Sequence, residues 1–343
     1  GGVTVSSTNI SVADSLVANA LTGGTKSYVL DDTLTNLLAA PSTTVSATST
    51  VSITGSNSLT VTQMNDLITK FGATKVVDSN ITVTGTSTQL ASMSAGSVAD
   101  ATTITWTSDS SDTVTVAELN ALKTLCGTIS NFSAIPVSDT VANLVTAASD
   151  ATSTANLVAA GTITATGNAT VAQISTINTA LSSVELEATF AISDSATNVK
   201  AATSGEDLNA VQDAASIAIT GNLTVAELDT IFTAASSGSA LVRGTTLTYN
   251  ISDTAANIFS NSGVMPASAA TNTQQKATAI TVSDGVSVAQ VVSLNSVRGN
   301  YTGATFTIED TVSNIDGAAT TVTAAAASVV AEDSLTNLNA ATT

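Results

Sequence analysis

Five aspartates in this chain share one setting. Asp32, Asp139, Asp194, Asp253 and Asp310 each follow an apolar and then a polar residue, and each precedes Thr or Ser. Asn36, Asn143, Asn198, Asn257 and Asn314 stand four places later. A degenerate copy puts Gly85 and Gln89 in the same slots, giving successive spacings of 53, 54, 55, 59 and 57 residues. A recurring carboxylate with a nearby amide could bind a hard cation, move a proton or begin a helix. The favoured reading is an N-cap, in which the Asp oxygen accepts from backbone N–H groups two and three residues on. The rival is calcium, held by Asp139, Asp194, Asp253 and Asp310 through oxygen ligands. If these aspartates lie on every second strand they are about 10 Å apart, twice the strand spacing. An ion with bonds of about 2.3–2.6 Å cannot span that. The half-units between them offer Gly55, Gly167 and Gly221 rather than ligands, and no EF-hand or glycine-rich nonapeptide loop occurs. No cofactor is therefore expected, with calcium as the alternative. The paired Asn is expected to bond to the neighbouring segment and satisfy buried backbone groups there.

Other catalytic constellations fail on residue type. The chain has no His, which removes Ser–His–Asp and Cys–His arrangements and histidine metal sites. The acidic doublets Asp31–Asp32, Glu309–Asp310 and Glu332–Asp333 fall where the repeat places its cap. They read as a cap with an exposed neighbour. Cys126, the one cysteine, sits on a helical pattern as a small core residue, and Trp106 reads as a core or edge residue rather than a sugar platform. An enzyme is not expected.

A second series reads Thr/Ser-Val-Ala/Thr-Glu/Gln-apolar. It begins at Thr60, Thr115, Thr170, Thr224 and Ser287, with spacings of 55, 55, 54 and 63. Thr115 with Glu118, Thr170 with Gln173 and Thr224 with Glu227 form capping boxes, where the hydroxyl accepts from the third helical N–H and the Glu or Gln reaches back. Val116, Leu119, Leu122 and Leu125 then keep helical spacing. Ahead of the Asp–Asn series run short alternating strands. Tyr28, Ile81, Ile135, Phe190, Tyr249 and Phe306 share one face with Leu30, Val83, Val137, Ile192, Ile251 and Ile308 two places on. Ahead of the Thr–Val series, Ile163 and Ala165 face one side and Thr164 and Thr166 the other.

Strands linked through helices run parallel. The expected fold is α/β: a repeat solenoid with a parallel sheet, one strand and one helix in each half-unit of about 27 residues, and a double repeat of about 55. Residues 46–315 form the expected core array. Residues 1–45 read as atypical N-terminal coils, because "SVADSLVANA" and "YVLDDTLTNLLAA" place two Asp-type motifs, at Asp14 and Asp32, close together. Residues 316–343, carrying Asp333, read as an atypical C-terminal coil.

Charge narrows the partners. Lys and Arg total 8 against 26 acidic residues, for a net charge of −18, and the cations Lys26, Lys70, Lys75, Lys123, Lys200, Arg243, Lys276 and Arg298 are scattered. Nucleic acid needs clustered cations, so it is excluded. No apolar run approaches the roughly 18 residues of a membrane span, so no membrane insertion is expected. The opening "GGVTVSSTNI" lacks Met and a leader, which reads as processed or cut from something longer. Asn131, Asn168, Asn222 and Asn300 begin Asn-x-Ser/Thr triplets that would matter on a glycosylating surface.

The alternation of "ISDTAANI"-like and "TVAEL"-like motifs, in an acidic Ala/Thr/Ser/Val-rich chain, resembles the repeats of very long secreted bacterial surface proteins, with those of marine cyanobacteria nearest. The resemblance spans roughly Asn9 to Asn339 and implies export to the cell surface. The expectation is a structural extracellular protein whose copies self-associate into a filament or layer. The alternative is an adhesin stalk or carbohydrate-binding module. An ice-binding face, suggested by Thr164 and Thr166, is a weaker third reading.

Overall fold

The computed structural model describes residues 5–332, apart from 79, 109–111, 183, 185, 188, 203, 237–245, 260–276 and 299–302. It is α/β, and its strands pair in parallel and in chain order. Two compact units divide the chain, the first of residues 1–165 and 180–186, the second of 166–179 and 187–343.

The first unit holds three sheets. One is β1 (Val5–Ile10), β2 (Lys26–Asp32) and β3 (Thr48–Ile53); the next is β4 (Ser58–Thr60), β5 (Thr82–Gly85) and β6 (Thr103–Trp106). The third pairs β7 (Val137–Thr140) with β8 (Ile163–Thr166). The second unit is one sheet of seven strands: β9 (Asn168–Ala169), β10 (Ala191–Ser195), β11 (Ser216–Leu223), β12 (Thr246–Asp253), β13 (Ala279–Val286), β14 (Ala304–Asp310) and β15 (Ser328–Ala331).

The connections come in two kinds. A Thr–Val motif starts one longer helix, as in Val61–Phe71, Val116–Cys126 and Val288–Arg298. After an Asp–Asn motif come two short helices, where the sequence suggested one: Ser87–Ala91 with Ala95–Asp100, Val141–Ala148 with Ala151–Ala159, and Val312–Asp316 with Thr320–Ala325. The break has a local cause. A second cap sits within the segment, with Ser94 accepting from the Ser97 N–H and Asp150 from the Ser153 N–H.

Glycine shapes the strands of the Thr–Val half-units. The β11 register against β12 runs Ala218↔Thr248 and then Asn222↔Asn250, so β11 carries extra residues, among them Gly221 at φ 83°. That left-handed turn suits glycine and throws the chain out of the ladder and back. Gly55 and Gly167 turn the same way, at φ 96° and 90°. Inward residues form the core. Tyr28, Ile81, Ile135, Phe190, Tyr249 and Phe306 are all buried, as are Leu30, Val83, Val137, Ile192, Ile251 and Ile308. Four of the ten aromatics, Tyr28, Phe190, Tyr249 and Phe306, occupy this one repeated position.

Candidate functional site

Each Asp of the repeat stands at or near the end of its strand, and its two oxygens do different work. Asp139 Oδ1 accepts from the Thr140 N–H at 2.7 Å and from Asn143 Nδ2 at 2.7 Å, both in its own motif. Its Oδ2 accepts from the Val116 N–H at 2.9 Å. Val116 is the first residue of the helix in the preceding half-unit. The same triad recurs at Asp194, with Ser195 (2.7 Å), Asn198 (2.8 Å) and Val171 (3.0 Å). Asp253 takes Thr254, Asn257 and Val225; Asp310 takes Thr311, Asn314 and Val288. Asp32 takes Thr33, Asn36 and Val12.

Two expectations are corrected here. The N-cap is the residue after the Asp, because Thr33, Thr140, Ser195 and Thr311 side chains accept from the third helical N–H. Thr254 does the same for Asn257. Asp32, Asp139, Asp194, Asp253 and Asp310 therefore stand one position before the cap, where their oxygens reach past the helix start to a neighbour. Second, the link to the adjacent half-unit is made by the Asp. Each Asn folds back on its own Asp, holding that carboxylate in place.

The Thr–Val helices explain why the link exists. A helix start leaves orphan N–H groups. In Val116–Cys126, Thr115 Oγ1 takes the Glu118 N–H and Glu118 takes the Thr115 N–H. The Val116 N–H is left to Asp139 of the next half-unit, and the carboxylate also suits the positive end of the helix. Thr60 with Gln63, Thr170 with Gln173, Thr224 with Glu227 and Ser287 with Gln290 make the same reciprocal pair.

The N-terminal segment belongs to this series too. Ser11 caps Val12–Ala20 by accepting from the Asp14 N–H, and Val12 donates to Asp32. "SVAD" is thus a Thr–Val motif with Asp in place of Glu or Gln, and the reading of Asp14 as an Asp–Asn motif is corrected. The degenerate copy has its own reason: a Cβ on Gly85 would lie 2.9 Å from Val61 Cγ2, too close for an Asp. There Thr86 and Gln89 form a capping box instead.

Burial favours the uncharged acid, yet the donors win. For Asp32, Asp253 and Asp310 burial alone would raise the pKa; bonds from the Asn side chain, the preceding Val N–H and the following N–H outweigh it. All three carboxyls end below their ordinary value. Glu227 is also lowered, chiefly by the Thr224 N–H and hydroxyl, against some burial and with help from Lys200. Burial raises the Cys126 thiol, which lies in the core.

Sequence reasoning missed further links. Asp112 accepts from the Ser87 N–H at 2.9 Å, and Asp284 from the Ala255 N–H at 2.5 Å, so carboxylates of two Thr–Val half-units serve helix starts of the Asp–Asn half-units before them. Asn65 accepts from Ser94 N–H and Ser97 Oγ and donates to the Ser92 carbonyl. Asn120 bonds Ser153 and Asn156. A shared position five residues after Thr60 and Thr115 was the available signal. Trp106 is buried, with Nε1 3.0 Å from both Ser87 Oγ and Asp112. Asn131 bonds the Trp106 backbone N–H and carbonyl, while Asn168 and Asn222 are exposed.

The acidic doublets differ from one another. Asp31 Oδ2 accepts from Asn9, and the exposed Glu309 lies across Gly285. The cations serve carbonyls and neighbours: Lys26 to Asn19 and Leu21, Lys70 to Leu38, Lys75 to Val45. Lys123 lies 5.0 Å from the Phe132 ring centroid and Lys200 pairs with Glu227 at 3.5 Å. Asp333, Arg243, Lys276 and Asn300 lie outside the described residues. Among the described residues no group of three acidic or cysteine side chains converges, and no helix is long and apolar enough to cross a membrane. No family model, curated protein or solved structure matches this chain.

Proposed function

We propose that this is a structural, non-enzymatic protein of the cell exterior, whose strand–helix half-units wind as coils of an α/β solenoid and whose copies assemble into a filament or layer. The observation that carries this reading is the use of the repeated carboxylates. All five join the start of one helix to the strand of the following half-unit, at 2.9–3.0 Å. The most regular polar feature of the chain is thereby engaged in holding like segments together. A repeat that binds its neighbours through its own signature residues supports a scaffold role. The low cation content and net charge of −18 suit an exposed surface that stays hydrated.

The test is the state of the purified chain. Sedimentation and negative-stain microscopy across protein concentration, with and without calcium, are expected to show polymers. Monomers alone under every condition would overturn the reading.

A further inference from the structure

Asn-x-Ser/Thr triplets begin at Asn9, Asn80, Asn131, Asn168, Asn222, Asn250 and Asn300, and the fold treats them unequally. Asn9 Nδ2 donates to Asp31. Asn131 Nδ2 donates to the Trp106 carbonyl, while its Oδ1 accepts the Trp106 N–H. Asn250 lies within β12 and is paired on both sides, with Asn222 of β11 and Ala279 of β13. Asn80, Asn168 and Asn222 are exposed, and among the described residues their side chains make no hydrogen bond. The Asn of each Asp–Asn motif is bonded to its own Asp, so an idle amide is not the rule in this chain.

Two of these three stand at one position of the repeat. Asn168 follows Gly167 at φ 90°, and Asn222 follows Gly221 at φ 83°. Each precedes a helix cap, Thr170 or Thr224, by two residues. Residues 166–168 and 220–222 are exposed throughout. Beyond the adjoining residues, nothing lies within 4 Å of where a Cβ would sit on either glycine. The residue between Asn and Thr, Ala169 or Leu223, is buried, so Asn and Thr share the outer side. Asn80 and Thr82 repeat this arrangement around the buried Ile81.

We propose that Asn80, Asn168 and Asn222 are glycosylation sites, each taking an oligosaccharide on its side-chain nitrogen. The proposal rests on the exterior location proposed above and adds a modification to it. The donor is an oligosaccharide carried on a polyprenyl pyrophosphate, and the enzyme is an oligosaccharyltransferase. Nδ2 attacks the anomeric carbon and the N–C bond forms. The bond from that carbon to the pyrophosphate oxygen breaks, the pyrophosphate leaves with the electron pair, and the amide gives up one proton to a base of the enzyme. In the fold the Thr170 and Thr224 hydroxyls lie in capping boxes, so transfer precedes closure of the first helical turn. The fold then decides where a sugar can remain. At Asn168 and Asn222 it projects into open space. At Asn131 it would take the nitrogen that holds the backbone of the buried Trp106, and at Asn250 it would stand between two paired strands. A chain carrying it there would not close its core.

Glycopeptide mass spectrometry on the full chain recovered from the cells that produce it tests this. Sugar is expected at Asn80, Asn168 and Asn222, and not at Asn9, Asn131 or Asn250. Asn168→Gln and Asn222→Gln should each remove one glycan. In the chain made without glycosylation both should leave the melting temperature unchanged, because neither amide is bonded. Surface protein bare at all three sites would overturn the proposal. Sugar spread equally over all six would overturn it too, since the triplet alone would then decide. Protein found only inside the cell would overturn the exterior reading and this one together. Bare polymers would overturn this proposal and leave the assembly reading standing, whereas glycosylated monomers would do the reverse.

Discussion

Asp194 receives Ser195 and Asn198 on one oxygen and Val171 on the other, so substitutions there separate two effects. Asp194→Asn keeps an acceptor for its own motif and can turn an NH2 group toward the Val171 N–H. An unmet buried donor costs about 1–3 kcal/mol, and urea denaturation should read a loss of that size. Asn198→Ala removes a single donor and leaves the link to Val171, so its loss should be smaller. Acid tests the same carboxylates. Asp32, Asp253 and Asp310 have folded pKa values below their unfolded ones, so their stabilisation is complete above the ordinary Asp value of about 3.9. It is lost as pH falls through the lowered values. Melting temperature should hold from neutral pH to about 4.5 and drop steeply below about 3.5. A chelator should leave it unchanged at neutral pH, because a calcium ion on these oxygens would have to displace three N–H donors; a fall in melting temperature would put metal at the column.

At the scale of the element, the capping boxes and the glycine turns carry separate, measurable costs. Thr224→Ala removes the acceptor for the Glu227 N–H and the partner of its carboxylate, and should destabilise by about 1 kcal/mol. Adding Glu227→Ala should then cost less than Glu227→Ala costs alone, since the two side chains form one box. Gly221→Ala, at φ 83°, should cost about 1–2 kcal/mol although nothing lies within 4 Å of the added carbon. These elements were readable in advance to different depths. Thr60, Thr115 and Thr224 announce their helices because the cap and its Glu or Gln partner lie within one turn. The Asp was misplaced by one residue because sequence spacing cannot distinguish a cap from a carboxylate that looks across to another segment. The second short helix went unseen because caps such as Ser94 and Asp150 lie among many other Ser, Thr and Asp residues. Asp112 and Asp284 stand three places before Thr115 and Ser287, a slot that holds Asn57, Gly167 and Gly221 in the other copies, so no constant residue type marks them.

Across the whole molecule, charge and repetition set the behaviour. With −18 net charge and several lysines already bound to carbonyls, self-repulsion is poorly offset. Raising NaCl from about 10 mM to about 150 mM shortens the screening length from about 30 Å to about 8 Å. The melting temperature should rise accordingly, in contrast to a protein held by surface ion pairs. The links between half-units also have a direction. In all five the amide donor comes first and its carboxylate follows 20 to 28 residues later. In a chain emerging from a ribosome N-terminus first, each of these five helix starts is therefore made before the carboxylate that completes it. The growing tip is the least finished part, and each newly added segment locks the one before it, so construction proceeds like a zipper closed from one end.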